Sequence, residues 1–162
     1  GIRDSSHTAE SVSDKTWDLV MAVNTKGPMM LMRKALPIFL EKGSGNIVNI
    51  CSIGGLQGSR AGIAYTASKH ALVGMTKNVG FQYATKGIRC NGIAPGAVET
   101  NIGDTIKDPD PFGMDRALLG SNLNPGIAQP VQIARIAAFL ASDESATVNG
   151  AIVVADMGMT AY

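Results

Sequence analysis

The chain has 162 residues, 45% apolar and 17% charged, a balance that suits one globular domain and excludes a disordered polypeptide. Fourteen basic side chains against thirteen acidic ones leave a net charge of +1 with no basic run, so nucleic acid is not an expected partner. Apolar stretches break off well before the roughly 18 residues of a membrane span and none reads as a signal peptide, so no membrane association is expected.

The elements can be taken in chain order. A polar opening, Arg3 to Asp14, leads into an apolar-periodic segment from about Lys15 to Glu41, where Trp17, Val20, Met21, Met32, Leu36 and Leu40 fit one helix. Pro28 falls inside it and should kink it, because proline removes a backbone donor and crowds the preceding turn. Gly43-Ser44-Gly45 stops the helix, and Asn46 to Cys51 reads as a buried parallel strand. A glycine-rich loop, Gly54 to Gly62, precedes a second helix from about Ala64 to Tyr83. Ile88 to Ile93 is a short strand ending at Pro95-Gly96. Thr100 to Pro130 is rich in Gly, Pro and Asp and longer than ordinary connections, as a substrate loop with short helical pieces would be. A helix at Val131 to Ala141 and a strand at Ala151 to Ala155 close the chain. This rhythm predicts an α/β fold over residues 1–162: one domain, a parallel sheet with crossover helices. Cys51 and Cys90 lack CxxC or Cys/His spacing, which argues against zinc and a disulfide framework and makes a reducing, cytoplasmic compartment the expectation.

Tyr65 and Lys69 carry the clearest chemistry. On a helix, positions i and i+4 share a face, so both side chains address one place. An ordinary phenol, with a pKa of about 10, is a poor base at neutral pH, and a nearby ammonium favours the phenolate. The pair makes sense as a tuned acid/base, although an exposed helix face carrying unrelated side chains would show the same spacing. Ser52 shifts that balance. It stands just past a buried strand, where parallel sheets present functional groups, and its hydroxyl can donate to a substrate oxygen on which charge develops.

The strings Asn46-Ile47-Val48-Asn49-Ile50-Cys51-Ser52, Tyr65-Thr66-Ala67-Ser68-Lys69 and Arg89-Cys90-Asn91-Gly92-Ile93-Ala94-Pro95-Gly96 closely resemble short-chain dehydrogenases/reductases. Ala138 to Glu144 and Asn149-Gly150 look like that family's closing segment, so the resemblance runs almost the whole length of the chain. It implies a Rossmann-like sheet limited to about the last three strands of the family fold. The implied activity is hydride transfer between NAD or NADP and a small alcohol or ketone. Tyr65 would be the general acid/base, Lys69 would lower its pKa and hold the nicotinamide ribose, and Ser52 would bind the substrate oxygen. Asn24 matches the family's helix asparagine, which helps hold a proton-relay water. Pro95, Gly96, Val98 and Thr100 match the segment that meets the nicotinamide carboxamide. A homo-oligomer, dimer or tetramer, built on the two long helices and the last strand is the family expectation. Phe112, Met114, Leu118 and Leu119 suggest an apolar lining for the substrate pocket.

The family's glycine-rich dinucleotide turn is not found ahead of Asn24. Gly43-Ser44-Gly45 precedes a strand rather than following one, so it serves as a helix stop. Gly1 looks like the last residue of the family's Asn-Asn-Ala-Gly turn, and the expectation is a fragment of a longer parent whose first strand exposes an edge. The competing expectation is a non-catalytic fragment or scaffold unable to bind dinucleotide. A hydrolase using Cys51 or Ser52 would need GxSxG and a suitably placed histidine; the chain offers only His7 and His70.

Overall fold

The computed structural model describes residues 1–58 and 60–162. Ser59, inside the loop expected at Gly54 to Gly62, lies outside the described residues. Three parallel strands form one sheet in the order β1 (Gly45–Ile50), β2 (Ile88–Pro95), β3 (Ile152–Ala155). The central strand is the most deeply buried: from Ile88 to Pro95 every residue except Arg89 is buried. Pro95 sits at its end, where a missing N–H breaks no inner ladder.

Helices cover both faces of the sheet. Side chains alternate between faces along a strand. Ile47 and Cys90 are register partners, and both pack with Met32, Leu36 and Val79 of the helices α2 (Gly27–Lys42) and α3 (Ile63–Tyr83). Their neighbours Asn46 and Arg89, also partners, point the other way and donate to the Leu140 carbonyl of α5 (Pro130–Ala141), at 2.8 and 3.2 Å. Helix α3 buries Ala64, Tyr65, Ser68, Lys69, Leu72, Val73, Thr76, Val79 and Gly80, a stripe at helical spacing. Among the described residues no helix is long and apolar enough to cross a membrane.

The single helix expected from Lys15 to Glu41 is two helices with an irregular turn between them. Helix α1 (Asp14–Met21), capped by the Ser13 hydroxyl, runs into a π-helical turn, Ala22–Lys26, and then into α2. The Gly27 N–H reaches back five residues to the Ala22 carbonyl, so the turn holds one residue more than an α-turn. Pro28 therefore occupies the first turn of α2, just past the π-helical turn, rather than the interior of one long helix. The proline inside α2 is Pro37, on its exposed side. Gly43, at φ 72°, ends α2 in the left-handed conformation that glycine adopts without strain.

Two asparagines extend the sheet beyond β3. Asn91 Nδ2 donates to the Val148 carbonyl at 2.8 Å, and its Oδ1 accepts from Ala151 N–H at 3.0 Å. Asn149 Oδ1 accepts from Cys90 N–H at 2.9 Å, and its Nδ2 donates to the Gly80 carbonyl at 2.9 Å. These side chains take the place of ladder bonds where the strand pairing has ended.

Residues 97–128 form the long excursion between β2 and α5. Its ends meet in a parallel bridge, Val98 with Ala128. Inside it lie a 3₁₀ turn, Asn101–Thr105, and α4 (Pro111–Ser121), whose N-terminus is capped by Asp110.

Candidate active site

Tyr65 and Lys69 sit on the first two turns of α3, 7% and 6% exposed. The helix begins at Gly62, which has no side chain to cap it. Asp4 supplies the missing acceptor from far away in sequence: its Oδ2 takes the Tyr65 N–H at 2.9 Å. The His7 carbonyl takes the Ile63 N–H at 3.0 Å. Asp4→Ala should cost about 1 kcal/mol of stability by analogy with lost N-caps. Its signature should be faster hydrogen exchange at the first turn of α3; unchanged exchange at Tyr65 would contradict the capping role.

Ser52 follows β1 in extended conformation, and its Oγ accepts from Gly54 N–H at 3.0 Å. A Cβ placed on Gly54 would lie 3.2 Å from Tyr65 Cε1 and 3.4 Å from Ser52 Oγ, so the phenol ring and the hydroxyl flank this glycine. Lys69 Nζ donates to the Ile50 carbonyl at 2.9 Å and stands 5.8 Å from the centre of the Tyr65 ring. Burial lowers the pKa of Lys69. Tyr65 moves upward instead: burial dominates, Ser52 and Arg3 pull the phenol back down, and Asp4 and Cys51 push it up. This net direction is opposite to that of a phenol ruled by the ammonium. The reason is that loss of hydration outweighs the charges around the ring.

Asn24, only 2% exposed, lies in the π-helical turn. Its Oδ1 accepts from Ile2 N–H at 2.9 Å, while Nδ2 donates to the Ile2 carbonyl at 2.8 Å and to Ser68 Oγ at 3.1 Å. Ser68 Oγ in turn donates to the Tyr65 carbonyl at 2.7 Å. A Cβ on Gly1 would meet Asn24 Oδ1 at 3.1 Å and Lys69 Nζ at 3.5 Å, so these two side chains also share one spot. Asn24, Ser52, Tyr65 and Lys69 thus come together at the carboxyl end of β1.

Pro95, Gly96, Val98 and Thr100 leave β2 at the same end of the sheet, since Ile50 is paired with Ile93. In the bridge to Ala128, the donors and acceptors are Glu99 N–H and the Ala97 carbonyl. The N–H and carbonyl of Val98 itself therefore face the opposite edge. Thr100 Oγ accepts from Ile102 N–H at 3.4 Å.

Arg3 and Asp4 were not legible as site residues. Arg3 places its guanidinium carbon 5.7 Å from the Tyr65 ring centre. Neither residue belongs to a spaced motif, and both reach Tyr65 through contacts about sixty residues apart in sequence. Beside the site, Ser6, His7, Thr66, Phe112 and Arg116 help to line a cavity of about 380 Å³. Of the four apolar residues expected to line a pocket, Phe112 does line this cavity, and Met114 accepts from Ser6 Oγ at 3.9 Å. Leu118 and Leu119 point outward, 50% and 58% exposed. Both thiols are buried and raised in pKa, Cys90 to about 12, which removes the thiolate a nucleophile needs. His7 contacts Ser11, and His70 contacts the Thr66 carbonyl.

A family profile described as enoyl-(acyl carrier protein) reductase matches residues 1–160. The chain is 44% identical over 163 residues to 3β-hydroxysteroid dehydrogenase 2 of Eggerthella lenta, covering 100% of the chain and 63% of that protein. It is 39% identical over 168 residues to a short-chain dehydrogenase/reductase of Penicillium canescens, covering 96% of the chain and 64% of that protein. Levodione reductase superposes with a TM-score of 0.87 at 35% identity, over 100% of this chain and 65% of that one. 4-Hydroxyisoleucine dehydrogenase complexed with NADH and succinate gives 0.83 at 30% identity, over 100% and 66% of the two chains. The chain spans less than two thirds of the length of these relatives.

Proposed function

Because the chain belongs to the short-chain dehydrogenase/reductase family, we propose that its protein transfers hydride between a nicotinamide dinucleotide and a small alcohol or ketone. The observation that carries this reading is the buried Tyr65 phenol flanked by Ser52, with Lys69 one turn on, at the carboxyl end of a parallel sheet. Tyr65 gives its proton to the substrate oxygen in reduction and takes it back in oxidation. Ser52 accepts from Gly54 N–H, which leaves its own O–H free to donate to that oxygen. Asn24 ties the π-helical turn to Ile2 and, through Ser68, to the backbone of Tyr65. The usual donor to the Asn24 carbonyl, four residues on, is Pro28, which has no N–H, so this carbonyl is suited to hold a water in a proton relay with Lys69.

The residues present fit the nicotinamide end of such a cofactor. Val98 turns one donor and one acceptor away from Ala128, the pair that a primary carboxamide complements. Pro95, Gly96 and Thr100 would frame that contact, and Tyr65 and Lys69 would meet the adjoining ribose. A bound nicotinamide supplies or accepts the hydride. That 4-hydroxyisoleucine dehydrogenase, a structural neighbour, is complexed with NADH supports a cofactor of the NAD or NADP class.

Residues 1–162 form, in this reading, one Rossmann-like domain in which the 100–130 segment walls the substrate site. The exposed side chains Leu31 and Ile38 of α2 and Phe81 of α3 support assembly into a homo-oligomer through these helices, and the two free cysteines suit a reducing, cytoplasmic compartment. Fluorescence titration of the protein with NADH and NADPH, followed by cofactor oxidation against a panel of ketones, tests the function. Micromolar binding with ketone-dependent turnover is the expected result. No binding and no turnover would favour a scaffold that keeps the motif without the activity.

A further inference from the structure

The Tyr65–Lys69 pair leaves one charge near the phenol unexplained. The guanidinium of Arg3 lies over the Tyr65 ring, 5.7 Å from its centre, as near as the Lys69 ammonium at 5.8 Å. The residue is fixed at both ends. Arg3 N–H donates to Thr105 Oγ1 at 3.0 Å, and Nη2 donates to the Arg60 carbonyl at 3.0 Å. Thr105 belongs to the 3₁₀ turn of the 97–128 excursion, and its hydroxyl donates onward to the Ile102 carbonyl at 2.7 Å. The two cations differ in chemistry. A buried lysine loses charge readily, and the environment of Lys69 drives it that way. An arginine keeps its charge at every working pH.

We propose that Arg3 is a positioning residue for proton transfer: with its backbone N–H held by Thr105 and its guanidinium held by the Arg60 carbonyl, it supplies a permanent positive charge on the Tyr65 ring. The contact at Thr105 links that charge to the docking of the 97–128 excursion. This inference rests on Tyr65 being the acid/base, as proposed above. The groups that face the phenol are Arg3 and Asp4 from the opening segment, Cys51 and Ser52 from the end of β1, and Lys69 from α3. Asp4 is engaged by the Tyr65 N–H, and the Cys51 thiol is buried and raised, so Arg3 is the cation that opposes the burial penalty.

The test is an ultraviolet titration of phenolate formation in the protein, with Tyr65→Phe subtracted to isolate this tyrosine from the others, Tyr83 and Tyr162 among them. Arg3→Gln should move the Tyr65 ionisation to higher pH by about one unit, a tenfold loss of phenolate at a fixed pH. Alcohol oxidation should fall by the same factor at neutral pH and recover as the pH rises, while Arg3→Lys keeps most of the effect. Thr105→Val should shift the ionisation in the same direction by less, and serves if Arg3→Gln fails to fold. A Tyr65 titration unchanged in every variant, or a loss of rate equal at all pH values, would overturn the role of Arg3. If Tyr65→Phe itself left turnover intact, the acid/base reading would fall instead, and the two failures are distinguishable.

Discussion

Phenylalanine at position 65 is expected to lower kcat by about 10²–10⁴-fold in either direction, the range lost with a general acid/base, while cofactor binding stays largely intact. The substitution removes one oxygen and keeps the buried ring, so packing against Gly54 and the cap from Asp4 to the backbone survive. The pH dependence carries a sign. Burial raises the Tyr65 pKa, so its charged form appears later on the pH scale and the phenol is neutral at pH 7. Ketone reduction uses that neutral phenol and should be near its maximum at neutral pH. Alcohol oxidation uses the phenolate and should keep rising until the pH passes the ordinary phenol value of about 10. Tyr65→Phe should lose this alkaline rise. Steady-state kinetics would check it, and residual activity above about a tenth would refute the role of Tyr65.

The largest structural effect is expected at Asn91, which is fully buried on the central strand. Its amide donates to the Val148 carbonyl and accepts from Ala151 N–H. Arg89 Nη1 also donates to the Val148 carbonyl at 3.1 Å, so that acceptor keeps a partner in Asn91→Ala. Ala151 N–H loses its acceptor, and a small cavity opens beside it. A lost bond plus an orphaned buried donor comes to about 2–4 kcal/mol. Domains have roughly 5–15 kcal/mol in total, so the variant should unfold at clearly lower urea. A loss under about 1 kcal/mol in urea melts would mean that water or backbone movement replaces the asparagine.

The sequence was most readable where a pattern is local. β1, β2, α3 and α5 each begin within a residue or so of their expected positions, because apolar runs and glycine stops define them. The grouping of Ser52, Tyr65 and Lys69 was legible for the same reason: helical spacing and a strand end place them. The π-helical turn at Ala22–Lys26 was not, since one extra residue in a turn leaves the apolar periodicity nearly unchanged. Asn24 within it is also paired with the backbone of Ile2, a contact that leaves no spacing in the chain. The bounds of α4, within the stretch expected to hold short helical pieces, were hidden because none of its residues is buried, so no stripe marks it. Arg3 and Asp4 escaped because a cap and a charge delivered across the fold leave no spacing in the chain.

The anchoring of the 97–128 excursion bears on how this protein can change over evolution. Several of its ties to the rest of the chain use its main chain: Asp110 N–H to the Ser5 carbonyl, Lys107 N–H to Ser5 Oγ, and the Gly120 carbonyl from Arg60 Nη1. Side chains add Thr105, which accepts from Arg3 N–H, Met114, which accepts from Ser6 Oγ, and Glu99, which accepts from Gln129 Nε2. Main-chain groups survive almost any substitution. Side chains at positions such as Ile106, Asp108, Leu118 and Leu119 are therefore free to drift while the segment stays moored. On the proposed reading of this segment as a substrate wall, new substrate preferences could be sampled there without disturbing Tyr65 and its neighbours.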